Sequence, residues 1–359
     1  MIITAIEYNN EAVRLHKDNK TSNALSKLHS ALNSFEGTKN ENIAEMQCPP
    51  LHSNSPRYIY DEGIGSFSDM IPISHDKRQD EDYVEAIINF NLGICYSLQH
   101  CFEIADDYFV GTHCIISSMK FSHSNIDKVL QSSLIHLNEG HNHYRAGNFE
   151  DALDAYWDAV NQAKREEQLD LRMATALNCI GTTILTSFLQ EKDFIQISRA
   201  LAPFNSALSV FVQYCGEDGI PDKGWTHLYM ATIVNNIGRI RFYCQDFKGA
   251  LPFFKKAHLV RRSHYGENHP EVAISAFYMG LCLQHLGDEI QATKTFTSYV
   301  GIMMMETNLA YLGDFIDRLL YIFEIFQKDN NLVMADFFMK TTIQCKSILE
   351  QENQNIKKT

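Results

Sequence analysis

The sequence is poor in positive charge: 31 Lys and Arg stand against 44 Asp and Glu, a net charge of −13 with a pI near 5.6. That deficit argues against general binding to nucleic acid or to an anionic membrane surface, both of which call for a basic footprint. A long apolar run is also missing. The most apolar stretch, Leu319–Phe326, is bounded by Arg318 and interrupted by Glu324, far short of the ~18 residues that a membrane-spanning helix needs. Met1–Glu7 has neither a basic start nor a long apolar core, so no secretory signal is expected there. Nine cysteines occur without a C-x-x-C pair or a zinc spacing. Scattered and odd in number, they are expected to be reduced thiols packed as small core residues, in a cytoplasmic or else nuclear protein.

Catalytic signatures are absent as well. The chain has no G-x-S-x-G, G-x-x-x-x-G-K, G-x-G-x-x-G or H-E-x-x-H. His141 and His143 stand two apart, so on a helix they point to different sides. His136, Glu139 and His143 do share a helical face at i, i+3 and i+7, but with fifteen histidines such a match arises by chance. No metal or other cofactor is assigned, and the chain is read as non-catalytic.

What is present is a repeated spacing. A small residue is followed twelve positions later by Ala, then four later by a large residue, then three later by another small one. Gly93, Ala105, Phe109 and Thr112 show it, as do Gly140, Ala152, Tyr156 and Ala159. Gly238, Ala250, Phe254 and Ala257 repeat it, and Gly280, Ala292, Phe296 and Tyr299 depart only at the last position. Gly147-Asn148, Gln245-Asp246 and Gly287-Asp288 supply helix stops and caps inside the twelve-residue gap. Each copy therefore reads helix, tight turn, helix. Positions i, i+4 and i+7 of the second helix share one face. Small residues there let helices approach closely, and the large one fills the space between pairs. A pair with that much apolar face must stack on its neighbour.

This spacing closely resembles that of tetratricopeptide repeats. The resemblance implies an all-α, right-handed superhelical solenoid of antiparallel helix pairs, about six or seven of them. Ala12, Ala24, Leu28 and Ala31 make a first copy. Gly181, Ala200, Phe204 and Ala207 make another, with about seven residues (19 − 12) inserted. Between Gly238 and Gly280 the step is 42 residues, and His264–Ala273 carries a YG-x-x-HP-x-VA linker. Residues 235–296 thereby resemble the repeats of kinesin light chains, which implies cargo-adaptor use. No long N-terminal heptad segment for pairing with a motor chain accompanies it.

The expected organisation is a first helix pair over 1–37, an acidic, proline-containing insert over 38–82, the solenoid over 83–303, a degenerate capping pair over 304–350 and a polar tail over 351–359. Four of the eight prolines (Pro49, Pro50, Pro56, Pro72) fall in the insert, which has nine acids against four bases. The insert is expected either to pack over the first two repeats or to act as a regulatory, partner-binding segment. Arg57–Phe67 is a candidate hairpin. Trp225–Tyr265 is its opposite in charge, with seven bases and one acid.

In tetratricopeptide arrays the first helices line a concave, peptide-binding groove. The resemblance places groove positions three residues before the small residue, one after it, and four or five after it. On that frame the candidates are Leu137, His141, Tyr144 and Arg145; Asn178 and Thr182; Asn235, Arg239, Phe242 and Tyr243; and Phe277, Gln284 and His285. Asn can bond a peptide amide with donor and acceptor together, and Arg can fork a carboxylate. The groove Lys of chaperone-binding relatives are absent. The expected function is an adaptor or scaffold binding a protein or peptide, with the basic repeat favouring an acidic one. Alternatives are a structural subunit of a larger complex and a regulatory partner of an enzyme on another chain.

Overall fold

A computed structural model of the chain describes residues 2–17, 20–34, 70, 71, 73, 81–119, 132–165, 171–191, 196–215, 224–304 and 309–356. Among these the regular structure is helical. The α-helices are α1 (Ile2–Lys17), α2 (Thr21–Asn33), α3 (Glu81–Leu98), α4 (Phe102–Met119), α5 (Ser132–Ala146), α6 (Phe149–Arg165), α7 (Leu171–Glu191) and α8 (Leu201–Cys215), followed by α9 (Gly224–Tyr243), α10 (Phe247–Tyr265), α11 (Pro270–His285), α12 (Glu289–Met303), α13 (Leu309–Lys328) and α14 (Leu332–Ile356). A short 3-10 helix, Ile197–Ala200, precedes α8; part of the extra length between Gly181 and Phe204 lies in α7, which runs ten residues past Gly181 where α5 runs six past Gly140. Consecutive helices pack as pairs, four in a first compact unit (α1–α8) and three in a second (α9–α14). No described helix is long and apolar enough to cross a membrane.

The repeated spacing has a direct packing cause. Each first-helix glycine faces the ring of its own second helix. A Cβ placed on Gly93, Gly181, Gly238 or Gly280 would lie 2.6–2.9 Å from Phe109, Phe204, Phe254 or Phe296 respectively, and Tyr156 comes closer still to Gly140. All five rings are fully buried, as are Ala105, Ala152, Ala200, Ala250 and Ala292. In the first pair Ala12 and Leu28 take the same places, both fully buried. Tyr299, the departure at the last position, is buried between Phe277 and Phe315, with ring centroids 5.4 and 5.5 Å away.

The turns follow one geometry. His100, Gly147, Gln245, Gly287 and Asn330 have positive φ. In each case the next backbone N–H bonds the carbonyl five residues back: Cys101 to Tyr96, Asn148 to His143, Asp246 to Arg241, Asp288 to Leu283 and Asn331 to Phe326. These are left-handed helix ends that satisfy orphan carbonyls. Asp246 and Asp288 then cap the next helix, accepting from Gly249 N at 2.9 Å and Gln291 N at 3.2 Å. In the 42-residue copy His269 caps α11 through Nδ1, stacks on Tyr265 at 4.0 Å, and precedes Pro270 at the first helical position.

The expectation of reduced, core-packed cysteines fails at Cys101, which is bridged, and at Cys114 and Cys244, which are exposed. Cys95, Cys114, Cys179, Cys244, Cys282 and Cys345 are free, but Cys101 is disulfide-bonded. It sits in the turn between α3 and α4. The candidate hairpin Arg57–Phe67 lies outside the described residues.

Candidate functional site

The structure divides the groove candidates between two helix stacks. In the first unit, Leu137 is fully buried and serves the helix packing. His141 is buried, shares a hydrogen bond between Nδ1 and the Tyr156 hydroxyl at 2.8 Å, and has no partner for Nε2 among the described residues. Burial, then the charge of Arg145, pushes its pKa down to about 3, so it is neutral at ordinary pH. Tyr144 bonds Thr186 Oγ1 at 3.0 Å, and Arg145 donates to Ser97 Oγ at 3.3 Å. Asn178 and Thr182 are buried one turn apart on α7, and the Thr182 hydroxyl donates to the Asn178 carbonyl at 3.0 Å.

In the second unit, Asn235 is fully buried, and neither Oδ1 nor Nδ2 has a hydrogen-bond partner among the described residues. One turn on, Arg239 is half-buried, with its guanidinium 5.9 Å from the Tyr278 ring centre and Nη1 3.5 Å from Asn236 Oδ1. Tyr278 is buried and bonds both Arg239 and Tyr243; burial raises its phenol pKa strongly. Phe242 is buried and packs edge-on against Tyr243, Tyr278 and His285. His285 stacks flat on Phe247 at 4.1 Å. Gln284 donates to Asp329 Oδ2 at 2.8 Å, and Phe277 lies under the Arg318 guanidinium. Arg239, Phe242 and Tyr243 thus converge around Tyr278, which sequence spacing did not single out, and His285 joins them through Phe242. Phe277 and Gln284 are used toward α13 and the turn after it.

The basic repeat is less basic at its surface than its composition. Arg261 is buried, donates to Ser275 Oγ at 2.9 Å and pairs with Glu271 Oε2 at 3.2 Å. Arg262 pairs with Glu267, and Arg241 with Asp246 at 2.9 Å. Both glutamates lie just beyond the window in which the bases cluster. Lys248, Lys255 and Lys256 remain exposed.

A third arrangement lies in α1 and α3. Asn91 donates from Nδ2 to the Ile71 carbonyl at 2.9 Å and accepts from the Ile71 N–H at 2.8 Å. Asn10 grips Ile73 the same way, at 2.8 and 2.7 Å. Asn9 adds a bond to the Ile71 carbonyl at 3.1 Å and accepts from Asn91 at 2.8 Å. Met70, Ile71 and Ile73 are buried in the first core. Part of the insert therefore packs on the first two pairs, held by carboxamides that bind backbone and are indifferent to side-chain identity. The register that singles out Asn178 and Asn235, three residues before the small residue, also falls on Asn9; it was legible in the first repeat.

Stacked antiparallel pairs, five of them with a glycine–ring contact at the crossing, define the α-helical repeat class. Residues 229–303 match the tetratricopeptide repeat family. Over those residues the chain carries tetratricopeptide repeats. No curated protein sequence matches it. Among solved structures it is similar to the apo form of RapI, at 11% identity over 97% of this chain and 99% of that one, with a TM-score of 0.55. It is also similar to aspartyl phosphate phosphatase F from Bacillus subtilis (14% identity, 96% and 94% covered, TM-score 0.53). BtubC (BKLC) from P. vanneervenii is a third (18% identity, 64% of this chain and 83% of that one, TM-score 0.50). At these identities the likeness is one of fold.

Proposed function

We propose that the chain is a non-catalytic interaction module that binds a peptide or protein segment on the first helices of its pairs. The carrying observation is the way Asn9, Asn10 and Asn91 hold the backbone of Ile71 and Ile73. Asn235 occupies in α9 the register that Asn9 occupies in α1, and its carboxamide is buried with both polar atoms unpartnered among the described residues. Such a group costs on the order of 1–3 kcal/mol, which a ligand's backbone N–H and C=O would recover. Arg239 stands beside it, and Lys248, Lys255 and Lys256 are exposed on the following helix. Together they favour a ligand with carboxylates.

The test is a peptide library screened against the full chain, with hits measured by fluorescence anisotropy. Asn235→Ala and Arg239→Ala should each weaken the hits at least tenfold while circular dichroism stays unchanged. Unaltered affinity in both variants would remove α9 as the seat. A second reading, a structural subunit docked through its second helices, has one observation in its favour. Trp157 on α6 is 45% exposed beside Leu153, Ile184 and Phe188. That reading calls for Trp157→Ala, and not Asn235→Ala, to abolish complex formation.

A further inference from the structure

His113 lies on α4, and His136 and Glu139 lie one turn apart on α5. They meet across the junction between the second and third helix pairs. His113 Nε2 is 3.2 Å from Glu139 Oε1, and His136 Nδ1 is 2.8 Å from Glu139 Oε2. The two imidazole rings are 4.3 Å apart at 38°. One ligand atom from each of the three residues can be chosen so that all lie within 4.8 Å of one another. The side chains are neither sealed nor free: 22% and 21% exposed for the imidazoles, 13% for the carboxylate.

We propose that His113, His136 and Glu139 bind a divalent transition-metal ion of the zinc class, tying α4 to α5. Two imidazoles and a carboxylate are a donor set for such ions, with bonds of about 2.0–2.2 Å. Tetrahedral ligands at that radius stand about 3.3 Å apart. The His113–Glu139 and His136–Glu139 separations are already near that value, and side-chain rotation has at most about 1.5 Å to close for the widest pair. Three protein ligands leave a fourth position for water.

The sequence alone offered a different trio, His136, Glu139 and His143. In the fold His143 turns instead to Asp106, at 3.5 Å, and α4 supplies the third ligand. The location gives the ion a use. Of the junctions between consecutive pairs in the first unit, α4–α5 is the most sparsely packed. An ion that binds the native arrangement and not the unfolded chain stabilises it by mass action.

Titration of the full chain with Zn2+ alone, after chelator treatment, tests the site. One equivalent should bind and raise the melting temperature. His113→Ala and His136→Ala should each weaken binding at least tenfold and abolish the shift. Cys114→Ser and His143→Ala are the controls and should leave both intact, since Cys114 is an exposed thiol beside His113. Loss of binding in Cys114→Ser, or its survival in the two histidine variants, would overturn the proposal. Should a histidine variant fail to fold, the wild-type Co2+ spectrum decides. One equivalent giving intense tetrahedral bands supports the site, and weak octahedral bands reject it.

Discussion

A single methyl group separates Gly238 from alanine, and the ring of Phe254 already stands 2.9 Å from where it would go. Gly238→Ala must push a fully buried ring out of place, an overpacking change of about 1–3 kcal/mol. Chemical denaturation should show the loss, and Phe254→Leu in the same chain should recover part of it, because Ala12 and Leu28 coexist in the first pair. His141 carries a different consequence. Burial holds its folded pKa to about 3, well below the ordinary imidazole value of 6.5. As pH falls below 6.5 the unfolded chain takes up a proton that the native one refuses. Stability is therefore full above about pH 6.5 and falls by about 1.4 kcal/mol per pH unit toward pH 3. Between pH 7 and 5, His141→Gln should flatten the stability profile by about 2 kcal/mol, read from denaturant midpoints.

At the scale of elements, the turns and junctions decide which helices hold. Gln245 takes a left-handed conformation, φ 63°, at a position where two equivalent turns use glycine. An L side chain there costs about 1–2 kcal/mol relative to glycine, partly offset by glycine's greater freedom in the unfolded chain. Gln245→Gly should thus raise stability by up to about 1 kcal/mol, seen as a higher melting temperature. Gly147→Ala, φ 84°, should do the reverse. Arg261 joins α10 to α11 through Ser275 and Glu271 while almost wholly buried. Removing it strands a half-buried carboxylate, so Arg261→Ala should cost about 3 kcal/mol in equilibrium unfolding. The sequence counted Arg261 among the bases of a charged repeat. Its partner, ten residues on, lies in the next helix, beyond any local window.

At the scale of the molecule, each helix stack must close its own ends. In the second unit the rings of Phe326 and Phe338 cover Phe296, with centroids 5.9 and 6.2 Å away. That cover is what the proposed role of α13 and α14 as an end cap asks for. Deleting residues 309–359 should expose that aromatic face. The truncated chain should bind a hydrophobic dye and elute as aggregate in size-exclusion chromatography; a monodisperse, dye-free product would show that the pair caps nothing. In the first unit, residues 70, 71 and 73 are part of the core, so the insert is in part a component of the fold.

The sequence by itself determined the helix pairs, the turn positions and the glycine–ring contacts. These are local or short-range: a period of 3.6, a left-handed turn, and one ring sixteen residues from one glycine, twenty-three where the chain is inserted. Groove residues were legible only as a register, and register does not fix what a side chain touches. Leu137, Asn178 and Thr182 share the frame with Arg239 and Tyr243, yet the former are buried within the helix packing. Only the tertiary structure decided that Asn9, Asn10 and Asn91 would hold Ile71 and Ile73, residues about sixty positions away in the first case and twenty in the last. It alone set His113 against His136 and Glu139. Contacts of that reach depend on how one helix pair is rotated against the next, and no local pattern in the chain encodes that angle.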